Sequence, residues 1–96
     1  MSTFSQSELR LQLERVPLWR LRRQVISRTY AFPDFVAALR FVNGVGRAAE
    51  KANHHPDIDI RWNKVTLALT THDAGGLTLK DFDLAARCDS LAARSG

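Results

Sequence analysis

Residues 57–72 read DIDIRWNKVTLALTTH, and their hydrophobic alternation changes phase halfway along. Ile58, Ile60 and Trp62 occupy even positions, whereas Val65, Leu67 and Leu69 occupy odd ones. Side chains of a strand alternate between its two faces, so one straight strand would leave half of these residues in water. A two-residue hairpin turn at Asn63-Lys64 removes the conflict. It pairs Trp62 with Val65, Ile60 with Leu67 and Ile58 with Leu69, and sets all six on one face. Asparagine suits the first turn position; lysine is a poor second residue where glycine is preferred. A hairpin with one apolar face needs cover, so this stretch predicts an antiparallel sheet layered against helices.

The flanking segments supply that cover. Upstream, FPDFVAALRFVNGVGRAAEKANHH (residues 32–55) is the clearest helix, with Pro33 suited to its first turn and Asp34 complementing the positive end of its dipole. Phe35, Leu39, Val42, Gly46 and Ala49 recur at three- and four-residue spacing and predict its buried stripe. Gly44 and Gly46 each cost about 1 kcal/mol against alanine within a helix, which predicts a second backbone packed close by. Downstream, Gly75-Gly76 mark a loop, and Thr78 with Asp81 has the spacing of a helix capping box. Phe82, Ala85, Ala86, Cys88 and Leu91 then give a moderately amphipathic last helix.

Near the start of the chain, Ser5 and Glu8 repeat the capping-box spacing. Leu9, Leu13 and Val16 follow on one helical face that ends before Pro17. Residues 18–32, LWRLRRQVISRTYAF, alternate at period two, with Ile26, Tyr30 and Phe32 in phase. They predict two strands joined near residues 22–24. The element order is therefore α-β-β-α-β-β-α: an α+β fold whose four-stranded, mainly antiparallel sheet is covered by helices.

Composition limits what such a chain can be. Its 96 residues, 45% of them hydrophobic, make one domain, residues 1–96, with a modest core. Small domains often complete their cores at a subunit contact, so a homodimer or homotetramer is expected. The single Cys88 permits neither an internal disulfide nor a zinc-binding cysteine pair, and suits a reducing compartment. No charged leader precedes an apolar run, and no stretch approaches the roughly 20 apolar residues of a membrane span. A cytoplasmic protein without a membrane partner is expected. The net charge of +4 owes much to Arg10, Arg15, Arg20, Arg22, Arg23 and Arg28. No nucleic-acid motif accompanies these arginines, so they read as a solvated face and nucleic acid is not the expected partner. Trp19 beside them reads as core.

The three histidines carry the chemistry. In NHHPD, residues 53–57, His54 and His55 stand side by side ahead of Pro56. A residue before proline disfavours helical geometry, so the long helix should end at or before His55, with His54 in or just past its last turn. Glu50 would then lie one turn back from His54, where it can orient that imidazole. The predicted hairpin places His72 opposite His55. Taken singly, each residue has an ordinary use: a histidine after a helix caps free carbonyls, Asp81 caps a helix, and Glu50 is a solvated charge. Jointly, three imidazoles meet near one helix end with carboxylates in reach. Imidazoles both donate and accept protons near neutrality, as general acid–base catalysis needs. Three of them can also hold zinc with an open position. Neither His-x-His nor His-Glu-x-x-His occurs, so spacing gives the metal reading less support.

These residues resemble the pterin-4a-carbinolamine dehydratases. The family pattern is a Glu, three residues, His-His-Pro, an aromatic-Asn-Lys-Val turn, Thr-His and a later Gly-Leu-[Ser/Thr]-x-x-Asp. This chain matches it at Glu50, His54, His55, Pro56, Trp62, Asn63, Lys64, Val65, Thr71, His72, Gly76, Leu77, Thr78 and Asp81. Trp19 and YAFPDF extend the likeness more loosely toward the start of the chain. The resemblance implies a hydro-lyase that removes water from 4a-hydroxytetrahydropterin to give quinonoid dihydropterin, in tetrahydrobiopterin recycling beside an aromatic amino-acid hydroxylase. It implies catalysis by His54, His55 and His72 without metal or organic cofactor, leaving the acid and base roles unassigned. Glu50, Asp81, Pro56, Ile58, Thr71 and Asp73 would support them or contact the pterin. It also implies an oligomer of α+β subunits. Many relatives carry Trp where this chain has Ile58, which keeps an apolar wall but loses aromatic stacking. Relatives of this fold also act as transcriptional coactivators or assembly factors, so a binding module, alone or combined with catalysis, is the second expectation. A metal-dependent hydrolase is the third.

Overall fold

The fold was obtained as a computed structural model and is described for residues 4–95. The elements are α1 (Gln6–Arg15), β1 (Arg20–Arg22), β2 (Val25–Ala31), α2 (Phe35–Ala52), β3 (Asp57–Arg61), β4 (Lys64–Leu69) and α3 (Leu79–Ser95). A 3-10 turn, His72–Ala74, lies between β4 and α3. The strands form one antiparallel sheet in the order β1-β2-β4-β3. The expected α+β order is therefore the observed one.

Sheet register decides which side chains meet the helices. Ile26 lies opposite Leu69, Arg28 opposite Leu67 and Tyr30 opposite Val65. Directly opposed residues share a face, and this one is buried against Phe41, Val45 and Ala49 of α2 and Phe82, Ala85 and Cys88 of α3. The other face carries cross-strand polar pairs such as Thr29 with Thr66, whose hydroxyls are 2.8 Å apart. Arg28 is thus on the covered face by parity, and it is not the solvated charge that its arginine-rich neighbourhood suggests. Its guanidinium lies 4.2 Å from the Tyr30 ring centroid and donates to Asp89 of α3 at 2.8 Å. Trp19 Nε1 and the Tyr30 hydroxyl donate to the same Asp89 oxygen.

The β3–β4 hairpin corrects the expected register. Ile60 pairs with Val65 and Ile58 with Leu67, so the turn residues are Trp62 and Asn63. Trp62 sits in the left-handed region at φ 53° and is 70% exposed. Such a φ is unfavourable for a bulky residue. Asn63 offsets it by anchoring the turn: its side-chain amide donates to the Phe32 carbonyl at 2.8 Å, and its own carbonyl accepts from Phe32 N–H at 2.9 Å. A slip of two residues preserves parity, so Ile58 and Ile60 stay on the apolar face. As residues of the edge strand they remain about 40% exposed.

Helix α2 also differs in detail. Asp34 is its N-cap, with the carboxylate accepting from Ala37 N–H, so Pro33 precedes the helix instead of opening it. The buried face is Ala37, Ala38, Phe41, Gly44, Val45 and Ala49. Of the predicted stripe only Ala49 belongs to it; Phe35 and Leu39 are 46% and 36% exposed. The helix is apolar on two sides, and periodicity alone does not rank them. Among the described residues the predicted second backbone is not found at its glycines: a methyl group on Gly44 would meet the Leu91 side chain at 3.7 Å, and nothing lies within 4 Å of one on Gly46.

The first hairpin closes with Arg22 paired to Val25, leaving Arg23 and Gln24 as turn residues at φ 50° and 64°. Two successive left-handed residues form the tight turn that suits strand twist, and glycine is favoured at the second. Gln24→Gly is therefore expected to raise stability by about 0.5 kcal/mol, read as a higher urea midpoint at unchanged slope.

Candidate active site

The site begins where α2 ends. Asn53 adopts φ 51° and ψ 43°, a left-handed conformation that asparagine tolerates better than most residues. Its N–H donates to the Glu50 carbonyl at 3.2 Å, and the His54 N–H donates to that of Ala49 at 3.1 Å. These bonds close the helix. Asn53, and not the proline alone, turns the chain so that His54 and His55 leave the helix end and half-buried Pro56 leads into β3.

His54 reaches inward. Its Nε2 lies 2.6 Å from Oδ1 of Asp81, whose side chain is fully buried. The other carboxylate oxygen accepts from the Thr71 hydroxyl at 2.8 Å and from the Thr78 N–H at 2.9 Å. A hydroxyl has one hydrogen, and Thr71 commits its own to Asp81. The 2.8 Å contact between the Thr71 and Thr78 hydroxyls is therefore a donation by Thr78. A carboxylate only accepts, which makes His54 the donor through Nε2. Its Nδ1 has no hydrogen-bond partner among the described residues.

His55 points to the surface, with Nε2 2.6 Å from Glu50 Oε2. Glu50 thus serves His55 and not His54, because the left-handed residue rotates His54 off the helical phase that the sequence implied. This pair is exposed, its side chains 58% and 79% accessible, so it orients a ring while adding little stability.

His72 reaches the same end by another route. The ladder stops at Asp57 opposite Ala68, so His72 does not face His55 across a hairpin. Thr71 bridges to Gly76, and His72 opens the 3-10 turn closed by Gly75 at φ 74°. The link is Thr71 itself, which holds the carboxylate that binds His54. His72 and Asp73 are exposed and form no side-chain hydrogen bond among the described residues. Pro56 and Ile58, the latter 40% exposed, continue the surface toward β3.

The structure thus joins Glu50 to His55 and His54 to Asp81 and Thr71. Among the described residues, it makes no side-chain hydrogen bond or ion pair to His72, Asp73, Pro56 or Ile58. Thr78 was legible only as a cap: its spacing to Asp81 is that of a capping box, and the observed bond from its N–H is half of one. The buried hydroxyl pair behind Asp81 depends on tertiary contact. Among the described residues, no group of three or more His, Cys, Asp or Glu side chains is arranged to hold a metal ion. The three-imidazole zinc arrangement is therefore not formed.

Comparison with known proteins identifies the family. The family described as Pterin 4 alpha carbinolamine dehydratase matches residues 2–91. A protein of Acidobacterium capsulatum, provisionally named pterin-4-alpha-carbinolamine dehydratase, is 53% identical over 95% of this chain and 99% of its own length. A crystal structure of a transcriptional coactivator/pterin dehydratase from Brucella melitensis superposes with a TM-score of 0.91 at 30% identity, covering 95% of this chain and 99% of the other. A pterin dehydratase-like protein identified as a RuBisCO assembly factor in the α-carboxysome has a TM-score of 0.65 at 20% identity, covering 77% and 86%. That last likeness is one of fold alone.

Proposed function

Because the chain belongs to the pterin-4a-carbinolamine dehydratase family, we propose that it dehydrates 4a-hydroxytetrahydropterin to quinonoid dihydropterin by histidine acid–base catalysis. The observation that carries this reading is the His54–Asp81 pair. The buried carboxylate fixes the Nε2–H tautomer and leaves Nδ1 of His54 as a base of set orientation. In the reaction the base takes the N5 proton, the electron pair forms the N5=C4a bond, and the C4a–O bond breaks. The hydroxyl leaves as water on receiving a proton from the imidazole of His55 or His72. Pro56 and Ile58 offer an apolar wall to the ring, and no metal takes part. The setting is cytoplasmic recycling of a tetrahydropterin spent by an aromatic amino-acid hydroxylase. Assembly as a homodimer or homotetramer is supported by apolar residues left exposed on α2 and on edge strand β3, among them Phe35, Val36, Leu39 and Ile60. No helix among the described residues is long and apolar enough to cross a membrane.

Stopped-flow measurement of 4a-hydroxypterin decay tests the reading. The protein should accelerate decay, and His54→Ala and His55→Ala should each slow it by about 10²-fold or more. Dialysis against a chelator should leave the rate unchanged. Wild-type rates in both variants would overturn the assignment. A protein without any acceleration would instead be a binding module, a reading favoured by the coactivator description of the Brucella structure.

A further inference from the structure

Helix α3 carries a row of cations that the histidine site does not use, interleaved with Leu84 of the core and with Leu91, which packs against that core. Lys80, Leu84, Arg87, Leu91 and Arg94 follow one another in alternating steps of four and three residues. They line one side of a groove of about 750 Å³ between α2 and α3, which none of the histidines lines. Arg47 and Lys51, one turn apart, stand on the opposite wall, and Gly44, Ala48 and Ala52 keep that wall low. All five cations are exposed, and none forms an ion pair among the described residues. The one acid on the rim, Asp83, is occupied by Arg15 of α1 at 2.8 Å.

The spacing identifies the occupant. Lys80, Arg87 and Arg94 are seven residues apart, which places their stems about 10.5 Å apart along the axis. Another α-helix reproduces that repeat when it carries an acid at every seventh position. Half-buried Leu91, the edge of core residue Leu84 and the methyl groups of Ala48 and Ala52 give the groove its apolar floor between the cations. This suits an amphipathic helix, whereas nucleic-acid surfaces pair cations with aromatic platforms, and no aromatic side chain lines this groove. Small residues on α2 let a third helix approach within normal packing distance. We propose that the α2–α3 groove docks an acidic amphipathic helix of a partner protein. Its carboxylates meet Lys80, Arg87 and Arg94, and its apolar residues meet Leu91, Ala48 and Ala52. This holds whether or not the chain is a dehydratase, since the two sets of residues are separate.

The probe is a fluorescein-labelled three-heptad peptide with glutamate at one position of every heptad and leucine four residues later. Anisotropy titration at low ionic strength should show saturable binding, weakened at least about tenfold by raising salt to several times the starting level. The double variant Arg87→Glu/Arg94→Glu should also lose at least about tenfold in affinity while keeping the wild-type melting temperature, as exposed positions allow. A peptide with lysine in place of two of the glutamates should bind the variant better than it binds wild type, a reversal that misfolding cannot produce. The proposal is overturned if the probe does not bind, if a shuffled peptide of the same composition binds equally, or if a single-stranded oligonucleotide displaces the probe at lower concentration than the unlabelled peptide does.

Discussion

Asp81→Asn is expected to slow dehydration by about 10²- to 10⁴-fold while the fold is retained. Asparagine is nearly isosteric, and its amide oxygen can keep the bonds from the Thr71 hydroxyl and the Thr78 N–H. Its NH2 group then faces His54 Nε2, where the carboxylate accepted at 2.6 Å. An NH2 only donates, so Nε2 must become the acceptor and the ring proton moves to Nδ1. The nitrogen proposed to take the pterin proton is then blocked. The loss should lie in kcat more than in KM, and ring-nitrogen NMR of His54 should report the changed tautomer. Asp81→Ala should also destabilise the protein, because the two remaining donors lose a buried acceptor at about 1–3 kcal/mol each. A wild-type kcat in Asp81→Asn would remove the dyad from the mechanism.

The second large effect concerns stability. Asp89→Ala is expected to lower the melting temperature by more than about 10 °C, from a loss on the order of 3 kcal/mol. One Asp89 oxygen accepts from Trp19 Nε1 at 2.9 Å, from Arg28 at 2.8 Å and from the Tyr30 hydroxyl. These donors come from the β1 entry and from β2, so this carboxylate fastens α3 to the sheet. Removing it leaves the Arg28 charge, only 22% exposed, without its counterion. A thermal melt within about 2 °C of wild type would show that packing alone holds the helix.

The same region sets a limit at alkaline pH. Burial, and secondly the Asp89 charge, push the Cys88 thiol from 9.0 up to about 12. Burial and the hydrogen bond to Asp89 likewise raise the Tyr30 phenol. An unfolded thiol releases its proton near pH 9, whereas the folded one retains it until about 12. The folded state therefore holds more protons across that window. Stability present below pH 9 is lost as the pH rises toward 12. Urea unfolding from about pH 8 to about pH 11 should show this decline, and Cys88→Ala should flatten part of it.

Several of these features were open to a reading of the sequence, and for local reasons. The Ser5–Glu8 capping box forms as its spacing requires, because both partners lie within one helical turn. The phase change in residues 57–72 points to a hairpin, because one straight strand would send half of these apolar residues into water. The histidines and carboxylates were recognisable as a set, since a proline and a loop bound their segments closely.

Pairing and phase needed the tertiary structure. Whether the hairpin turns at Asn63-Lys64 or at Trp62-Asn63 depends on the bonds from Asn63 to Phe32, a residue 31 positions away. Periodicity could not choose the buried side of α2, because both sides are apolar and only the sheet and α3 select one. The helical spacing matched Glu50 to His54 and left Asp81 as a helix cap. The left-handed Asn53 rotates the chain at a single residue, so that His54 meets Asp81 and Glu50 meets His55 instead. The sequence by itself determined the elements, their order and the chemical groups of the site. Only tertiary contact decided which carboxylate meets which imidazole, because hydrogen bonds fix the protonated nitrogen of a ring through atoms that lie far apart along the chain.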